Sequence, residues 1–171
     1  IALLAAISPG PDFVVVAKNA IAHDRSKAIL TSVGIGVGIL IHSTYCVLGL
    51  ALVISQSLLL FSMIKYLGAA YLIYLGIKSL LSKDDKLNAA TMATQKQTSM
   101  SAWKAFQNGL LTNVLNPKCT LFMLSVFTLV VKPHTPMWAQ AIYGIEIASI
   151  TAAWFVFLSV GLTHPVIKAK I

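Results

Sequence analysis

A broken helix inside an apolar segment is the feature that most constrains this chain. Residues 8–12 read Ser-Pro-Gly-Pro-Asp and lie between the apolar residues 1–7 and 13–17. Each proline lacks a backbone N–H and clashes with the carbonyl four residues earlier, so a continuous helix is excluded here. Within lipid such a break is tolerated only where protein or a water-filled cavity satisfies the freed backbone groups. Because a carboxylate, Asp12, follows directly, the pattern favours a functional site over a packing kink.

The composition predicts an integral membrane protein. Hydrophobic residues make up 57% of the 171 residues and charged residues only 11%, whereas soluble domains carry about 25% charged residues. The net charge of +8 is typical of lysines in loops that flank membrane spans. No basic patch interleaved with aromatic residues indicates nucleic-acid binding. Cys46 and Cys119 fit no metal-binding pattern, and we expect both to be buried free thiols.

Five apolar stretches are long enough to cross a bilayer, which takes about 20 residues. They cover residues 1–22, 28–54, 58–81, 106–131 and 138–162, and the first and fourth are broken by prolines. Basic residues concentrate in the connections after the first and third spans and in the tail. The positive-inside rule therefore places these connections in the cytoplasm, and the N-terminus and residues 55–57 outside.

The second break, at Asn116-Pro117, suggests an internal repeat. Three spans lie between the two breaks, and this odd number inverts the second half relative to the first. Inverted repeats with broken helices are typical of transporters whose site lies near the membrane midplane. We therefore predict an all-α, polytopic membrane helix bundle, an inverted repeat of three-helix units with broken first and fourth helices. The expected single transmembrane transporter domain spans residues 1–171: repeat one 1–81, a cytoplasmic linker 82–101 and an incomplete repeat two 102–171. We interpret the chain as part of a longer protein, with the sixth helix absent from it.

A few polar groups within the spans could form a site. A buried ammonium at Lys118 needs a partner, for which Asp12 or Glu146 is the natural candidate. His42 either hydrogen-bonds a neighbouring helix or takes part in proton transfer. Because Pro117 has no N–H, the carbonyl of Asn113 is predicted to be free for ligand or water. The predicted substrate- and proton-binding residues are Pro9, Gly10, Pro11, Asp12, His42, Asn113, Asn116, Pro117, Lys118 and Glu146.

Such a site suits a zwitterion. The carboxylate of the ligand would bind Lys118 and the N-terminus of a half-helix. Its ammonium would bind Asp12, Glu146 and freed carbonyls. Both carboxylates lie in segments too apolar to keep an unpaired charge. We expect Asp12 and Glu146 to divide the work of holding the ammonium and carrying a proton.

Several motifs together resemble the lysine exporter (LysE/RhtB) family. They are SPGPDF at 8–13, GIG at 34–36, LGAAYLIYLG at 67–76, GLLTN at 109–113 and NPK at 116–118. Glu146 with AWF at 153–155 is similar to the branch that exports threonine and homoserine. The resemblance implies a bacterial inner-membrane exporter of amino acids, normally of six spans, that works by proton antiport.

Other functions are less consistent with the residues. A membrane electron carrier that passes thiol–disulfide equivalents is the alternative, since Cys119 adjoins the second break, but the first break has no cysteine. Neither HExxH nor GxSxG occurs, so we predict no enzyme and no cofactor. The expected partners are an amino acid, protons and membrane lipid, not nucleic acid, and a homo-oligomer is left open.

Overall fold

The computed structural model describes residues 1–81, 100–132 and 134–165. These residues form helices and no strand, which confirms the all-α helix bundle. The helices are α1 (Ala2–Ile7), α2 (Pro11–Ala22), α3 (Arg25–Gln56), α4 (Leu58–Leu81), α5 (Ala102–Val114), α6 (Pro117–Val130) and α7 (Met137–Leu162). Most of the predicted linker, residues 82–99, and the basic tail from residue 166 lie outside the described residues.

Three of the described helices, α3, α4 and α7, are long and apolar enough to cross a membrane. Helices α5 and α6 would form a fourth span, bent by 60° at the second break. The first predicted span does not join this set, because the first break divides it into a helix of 6 residues and one of 12. A membrane helix bundle is therefore confirmed with three or four candidate spans, while the repeat, the linker's location and the orientation stay predictions.

Local sequence explains where several helices begin. Asp24, Ser101 and Asn116 cap α3, α5 and α6, and each accepts a first-turn backbone N–H, at 2.9, 3.2 and 3.0 Å respectively. Such caps satisfy donors that have no partner within the helix. Pro11 and Pro117 occupy the first positions of α2 and α6, where the missing N–H is not needed. Each proline thus starts a new helix directly after a break.

Helix α3 is the centre of the bundle and packs most extensively on α5 and α7, while α4 packs on α6. Gly34 and Gly38 face α5, where a Cβ would overlap the backbone at Phe106 and the side chain of Asn113. Glycines that let helices approach closely are typical of membrane bundles. Gly34 and Gly38 thus form a packing face of small residues on α3. It also holds the end of α5, with Asn113, directly against α3.

Two apolar clusters flank the breaks. The larger one joins α3, α4, α6 and α7 around buried residues such as Leu50, Phe122 and Phe127. The smaller one joins α2, α3 and α7 through Val16, Ile35 and Phe155. Residues beside the breaks pack against both clusters: Ala5 and Cys119 against the larger one, and Ala6 and Phe13 against the smaller one.

Candidate functional site

The two helix breaks lie next to each other. The Lys118 ammonium at the start of α6 donates to the carbonyls of Ser8, at 3.0 Å, and Ala5, at 3.3 Å. The Asn116 side-chain amide lies 3.4 Å from an oxygen of Asp12 at the start of α2. Each break therefore contacts the other through side chains, although the segments are more than 100 residues apart in the chain.

Asp12 is a buried carboxylate, only 7% exposed, surrounded by neutral donors of the second break. Its Oδ2 accepts from Asn113 Nδ2 at 2.8 Å and from the Cys119 thiol at 3.2 Å. Its Oδ1 accepts from Asn116 Nδ2 at 3.4 Å. A carboxylate offers about four lone-pair positions. These three donors thus leave Asp12 with capacity for another donor.

Lys118 holds the end of α1. The last carbonyls of a helix have no partner within it, and the ammonium of Lys118 satisfies two of the carbonyls at this end, those of Ala5 and Ser8. A cation at a helix C-terminus also interacts favourably with the helix dipole. Of the two predicted partners of Lys118, Asp12 is buried at the breaks and Glu146 is exposed on α7. Lys118 and Asp12 do line the same cavity.

The structure does not bring Glu146 to the breaks. Four residues of α7 around it, Gly144, Ile147, Ala148 and Thr151, are buried, whereas Glu146 itself is exposed. The buried positions form one stripe of the helix, as packing of one helix face requires, and Glu146 lies off that stripe. Of the two carboxylates, Asp12 lies at the breaks and Glu146 is exposed on α7. The division of work between Asp12 and Glu146 stays a prediction.

His42 contacts the second break directly. Its ring is completely buried, and Nε2 lies 3.0 Å from the backbone oxygen of Asn113. The same oxygen accepts the N–H of Asn116 at 2.9 Å. The carbonyl that the sequence predicts to be free is thus occupied, since the break lets Asn116 bond back to it and α3 brings His42 beside it. Among the described residues, neither His42 Nδ1 nor Asn113 Oδ1 has a hydrogen-bond partner.

The three prolines of the predicted set shape the backbone. Pro9, Pro11 and Pro117 are exposed and do not line the cavity between the breaks, whereas Gly10 does. The N-cap of α2 is Gly10, and no side chain caps this helix. The prolines therefore act by ending and starting helices, which exposes helix termini at the site.

A cavity of about 40 Å³ lies between the breaks and is lined by Asp12, Lys118, Cys119, Thr151 and Phe155 among others. It has room for a few water molecules, since one water needs about 10–15 Å³ on this scale. A larger groove of about 560 Å³ adjoins it and shares Ala5, Ser8, Lys118 and Phe122. Apart from Ser8 and Lys118, the groove is lined by apolar residues and glycine from α1, α4 and α6.

Two site residues were missed by sequence reasoning. Cys119 is expected to act as a small hydrophobe, yet its half-buried thiol donates to Asp12 and accepts from Asn113 at 3.3 Å. Its position one residue after Lys118 could have indicated this. Thr151 lines the cavity from α7, and no local sequence signal marks it. Both cysteines are free thiols, as predicted, and Cys46 is buried.

Comparison with known proteins gives one family. The family model described as "LysE type translocator" matches residues 3–169. The membrane protein YahN of Escherichia coli K12 is 33% identical over 164 residues, which is 94% of this chain and 71% of the relative. The threonine efflux protein of the same strain is 33% identical over 154 residues, 90% and 74% of the two chains.

A third relative extends this pattern. The homoserine/homoserine lactone efflux protein of Salmonella typhimurium is 32% identical over 137 residues, 80% of this chain and 64% of the relative. No solved structure matches the chain at a significant level. The family model covers nearly the whole chain, including both helix breaks and the residues between them. The chain is a membrane protein that belongs to the LysE type translocator family.

Proposed function

We propose that this protein exports an amino acid of the threonine or homoserine type from the cytoplasm across a bacterial inner membrane, in exchange for protons. The observation that carries the proposal is the meeting of Asp12 and Lys118, one from each helix break, around one cavity. Relatives named as threonine and homoserine efflux proteins, at 33% and 32% identity, support this substrate class.

The charges at the breaks complement an α-amino acid. Asp12 is held by three neutral donors and can accept the substrate ammonium at its remaining lone-pair position. Lys118 presents an ammonium to the same cavity and can bind the substrate carboxylate by a charge-assisted hydrogen bond. Both charged ends of the substrate are then paired, which an apolar surrounding requires.

Binding is coupled to the position of α1. The cavity of about 40 Å³ is smaller than an amino acid, so the site must open to receive one. A substrate carboxylate on Lys118 competes with the carbonyls of Ala5 and Ser8, which now hold the ammonium. Loss of these bonds releases the end of α1, a 6-residue helix without a buried residue. Movement of this short element is the step by which access to the site alternates.

Proton exchange follows from the charge balance at Asp12. When the substrate leaves, the buried carboxylate loses a cationic partner, and an unpaired charge within a membrane is unfavourable. A proton taken up near Asp12 restores the balance. Inward proton movement is in this way tied to outward movement of the substrate ammonium.

The test uses full-length protein reconstituted in lipid vesicles that are loaded with labelled threonine or homoserine. An external acidic pH should accelerate efflux of the label, and the Asp12→Asn variant should lose this acceleration by more than tenfold. Lys18→Ala is the matched control, because Lys18 also lies on α2 but is exposed. Efflux that is absent in the unmodified protein, or equal with and without a pH gradient, would contradict the proposal.

A further inference from the structure

His42 is a buried ionisable side chain at the breaks that the proposed binding of substrate leaves without a role. It is completely buried in the middle of α3 and contacts the backbone of Asn113 rather than the cavity. The side chain of that same Asn113 donates to Asp12 at 2.8 Å. One residue thus links the imidazole to the carboxylate that is proposed to hold the substrate.

The hydrogen bond of Nε2 determines which ring nitrogen is open to a proton. A backbone carbonyl only accepts hydrogen bonds, so Nε2, at 3.0 Å from Asn113 O, must carry the hydrogen. In the neutral ring Nδ1 then holds a lone pair. Among the described residues this nitrogen has no partner, although it is buried. An unpaired acceptor of this kind is unfavourable in an apolar surrounding, so Nδ1 is the ring atom that is open to a proton when a counter-charge lies nearby.

We propose that His42 carries the exchanged proton, on Nδ1, and that the charged imidazole and the substrate ammonium are alternative cationic partners of Asp12. The proposal rests on the proposed amino-acid export. The step is a proton transfer alone: Nδ1 takes a proton from water on one side of the membrane and returns it to water on the other. Nε2 stays bonded to Asn113 in both states.

The charges around the ring explain why the two cations exclude each other. On its own helix the ring meets Tyr45 edge-on at 5.1 Å, and the buried Cys46 lies one turn further on. At the breaks, Asn113 links the ring to Asp12 and Cys119, and Lys118 lines the same cavity as these two residues. Helix α5 presents the neutral Asn113, and Glu146 of α7 is exposed. With a zwitterion bound, its carboxylate offsets Lys118 and its ammonium offsets Asp12. A further positive charge on His42 then has no partner.

The exposure of Glu146 on α7 favours a proton carrier nearer to Asp12. The proton needs a carrier near Asp12, and histidine is a common proton shuttle in proteins. Protonation would also strengthen the bond from Nε2 to Asn113, because charge-assisted hydrogen bonds are stronger than neutral ones. The helix break that carries Asn113 and Asn116 would thereby respond to the charge of His42.

The experiment compares His42→Gln with the unmodified full-length protein in lipid vesicles. A glutamine can retain an N–H donor for Asn113 but cannot titrate. In the unmodified protein, the threonine concentration for half-maximal binding should rise about tenfold per pH unit where His42 gains its proton, since the two cations compete. His42→Gln should lose this slope. It should exchange labelled for unlabelled threonine within about threefold of the normal rate and lose efflux driven by a pH gradient by more than tenfold.

His134→Gln is the matched control, because His134 is exposed between α6 and α7, and it should behave as the unmodified protein. A His42→Gln variant that keeps both the pH slope and gradient-driven efflux overturns the inference while the proposed export stands. If the unmodified protein exchanges neither threonine nor homoserine, the proposed export itself is wrong.

A spectroscopic measurement decides the question if His42→Gln fails to fold. Nitrogen NMR of ¹⁵N-histidine in full-length protein whose other histidines are replaced by glutamine isolates the signal of His42. Nδ1 should become protonated as the pH falls, and threonine should displace that proton. A ring whose Nδ1 stays unprotonated down to the lowest pH at which the protein is folded, or ignores threonine, overturns the inference.

Discussion

The two helix breaks differ in what holds each of them together. At the second break Asn116 caps α6 with its own side chain, and its N–H bonds back to the carbonyl of Asn113. At the first break the N-cap is Gly10, which has no side chain to offer, and the carbonyls of Ala5 and Ser8 bond to Lys118. The second break is therefore stabilised within its own segment, whereas the first depends on side chains from the second.

Packing on either side of the breaks repeats this difference. Helix α6 buries five side chains, including Phe122, Met123 and Phe127, whereas α1 buries none. A short element with few buried contacts opens at low free energy. The comparison indicates that the second break is the fixed half of the site and that the first break, with α1, is the half that moves.

The largest expected effect is at Lys118, where the two breaks are joined. Lys118→Met keeps the length of the side chain but leaves the carbonyls of Ala5 and Ser8 without their donor. Each orphaned carbonyl that stays buried costs about 1–3 kcal/mol. We expect a lower melting temperature of the purified protein and loss of threonine efflux, measured on the same preparation.

Lys132→Ala is the control, since Lys132 is exposed beyond the end of α6. Normal efflux by Lys118→Met would show that the first break is stabilised without Lys118. The dependence of the first break on the second would then be wrong.

A second effect separates Asp12 from Glu146. Asp12→Asn replaces a carboxylate that accepts from three donors by a neutral amide of the same shape. Efflux should fall by more than tenfold, because the substrate ammonium loses about 1.5–3 kcal/mol of charge-assisted hydrogen bonding. Glu146→Gln should leave efflux within about twofold, since Glu146 lies off the packed face of α7 and surface changes have small effects. Efflux assays on both variants, with expression matched, check this contrast. Equal losses of efflux would show that Glu146 also takes part in the site.

A smaller effect is expected where the second break rests on α3. A Cβ at Gly38 would overlap the side chain of Asn113, and overpacking of this kind costs about 1–3 kcal/mol. Gly38→Ala should therefore reduce thermal stability and weaken threonine binding by displacing the amide that donates to Asp12. Gly49→Ala on the same helix is the control, because a Cβ there meets no atom within 4 Å. Equal melting temperatures for the two variants would show that close packing on α3 does not fix the position of Asn113.

The smallest effect is expected at Gly10, in the first break. Its backbone is extended, with φ −174°, so alanine fits the conformation. The added Cβ would lie 3.4 Å from the Lys118 ammonium, which is the end of a flexible side chain and can shift. We expect Gly10→Ala to change the melting temperature by less than about 3 °C, an effect below 1 kcal/mol. A loss as large as that of Gly38→Ala would show that the first break is as rigid as the second.

The sequence predicts much of this arrangement, because prolines and glycines act locally. Both breaks, the helices after them and the close packing at Gly34 and Gly38 follow from backbone chemistry that the residue types impose. The expected repeat, which stays a prediction, would also bring the two breaks together, and Asp12 and Lys118 line one cavity.

The position of Glu146 could not be predicted for a physical reason. Helix α7 is apolar around most of its circumference, so periodicity does not mark the face that packs inward. The partners of Lys118 and Cys119 were missed for a similar reason. They depend on which acceptors the folded chain brings within about 3 Å, such as the carbonyl of Ser8, and no local pattern reports this.

The most direct test of the central claim is ligand discrimination by the full-length protein. The claim is that Asp12 binds the ammonium and Lys118 the carboxylate of one amino acid. The ligands are threonine, threonine amide, which lacks the carboxylate, and 2,3-dihydroxybutanoate, which lacks the ammonium. The unmodified protein should prefer threonine over either analogue by more than tenfold, since each charge-assisted bond contributes about 1.5–3 kcal/mol.

Each variant should lose one preference and keep the other. Asp12→Asn should bind dihydroxybutanoate as well as threonine and still reject the amide, whereas Lys118→Met should bind the amide as well as threonine and still reject dihydroxybutanoate. Calorimetric titration of the three ligands into the three proteins measures all of these affinities. If both variants keep both preferences, the two helix breaks do not form the binding site, and the roles given to Asp12 and Lys118 are wrong.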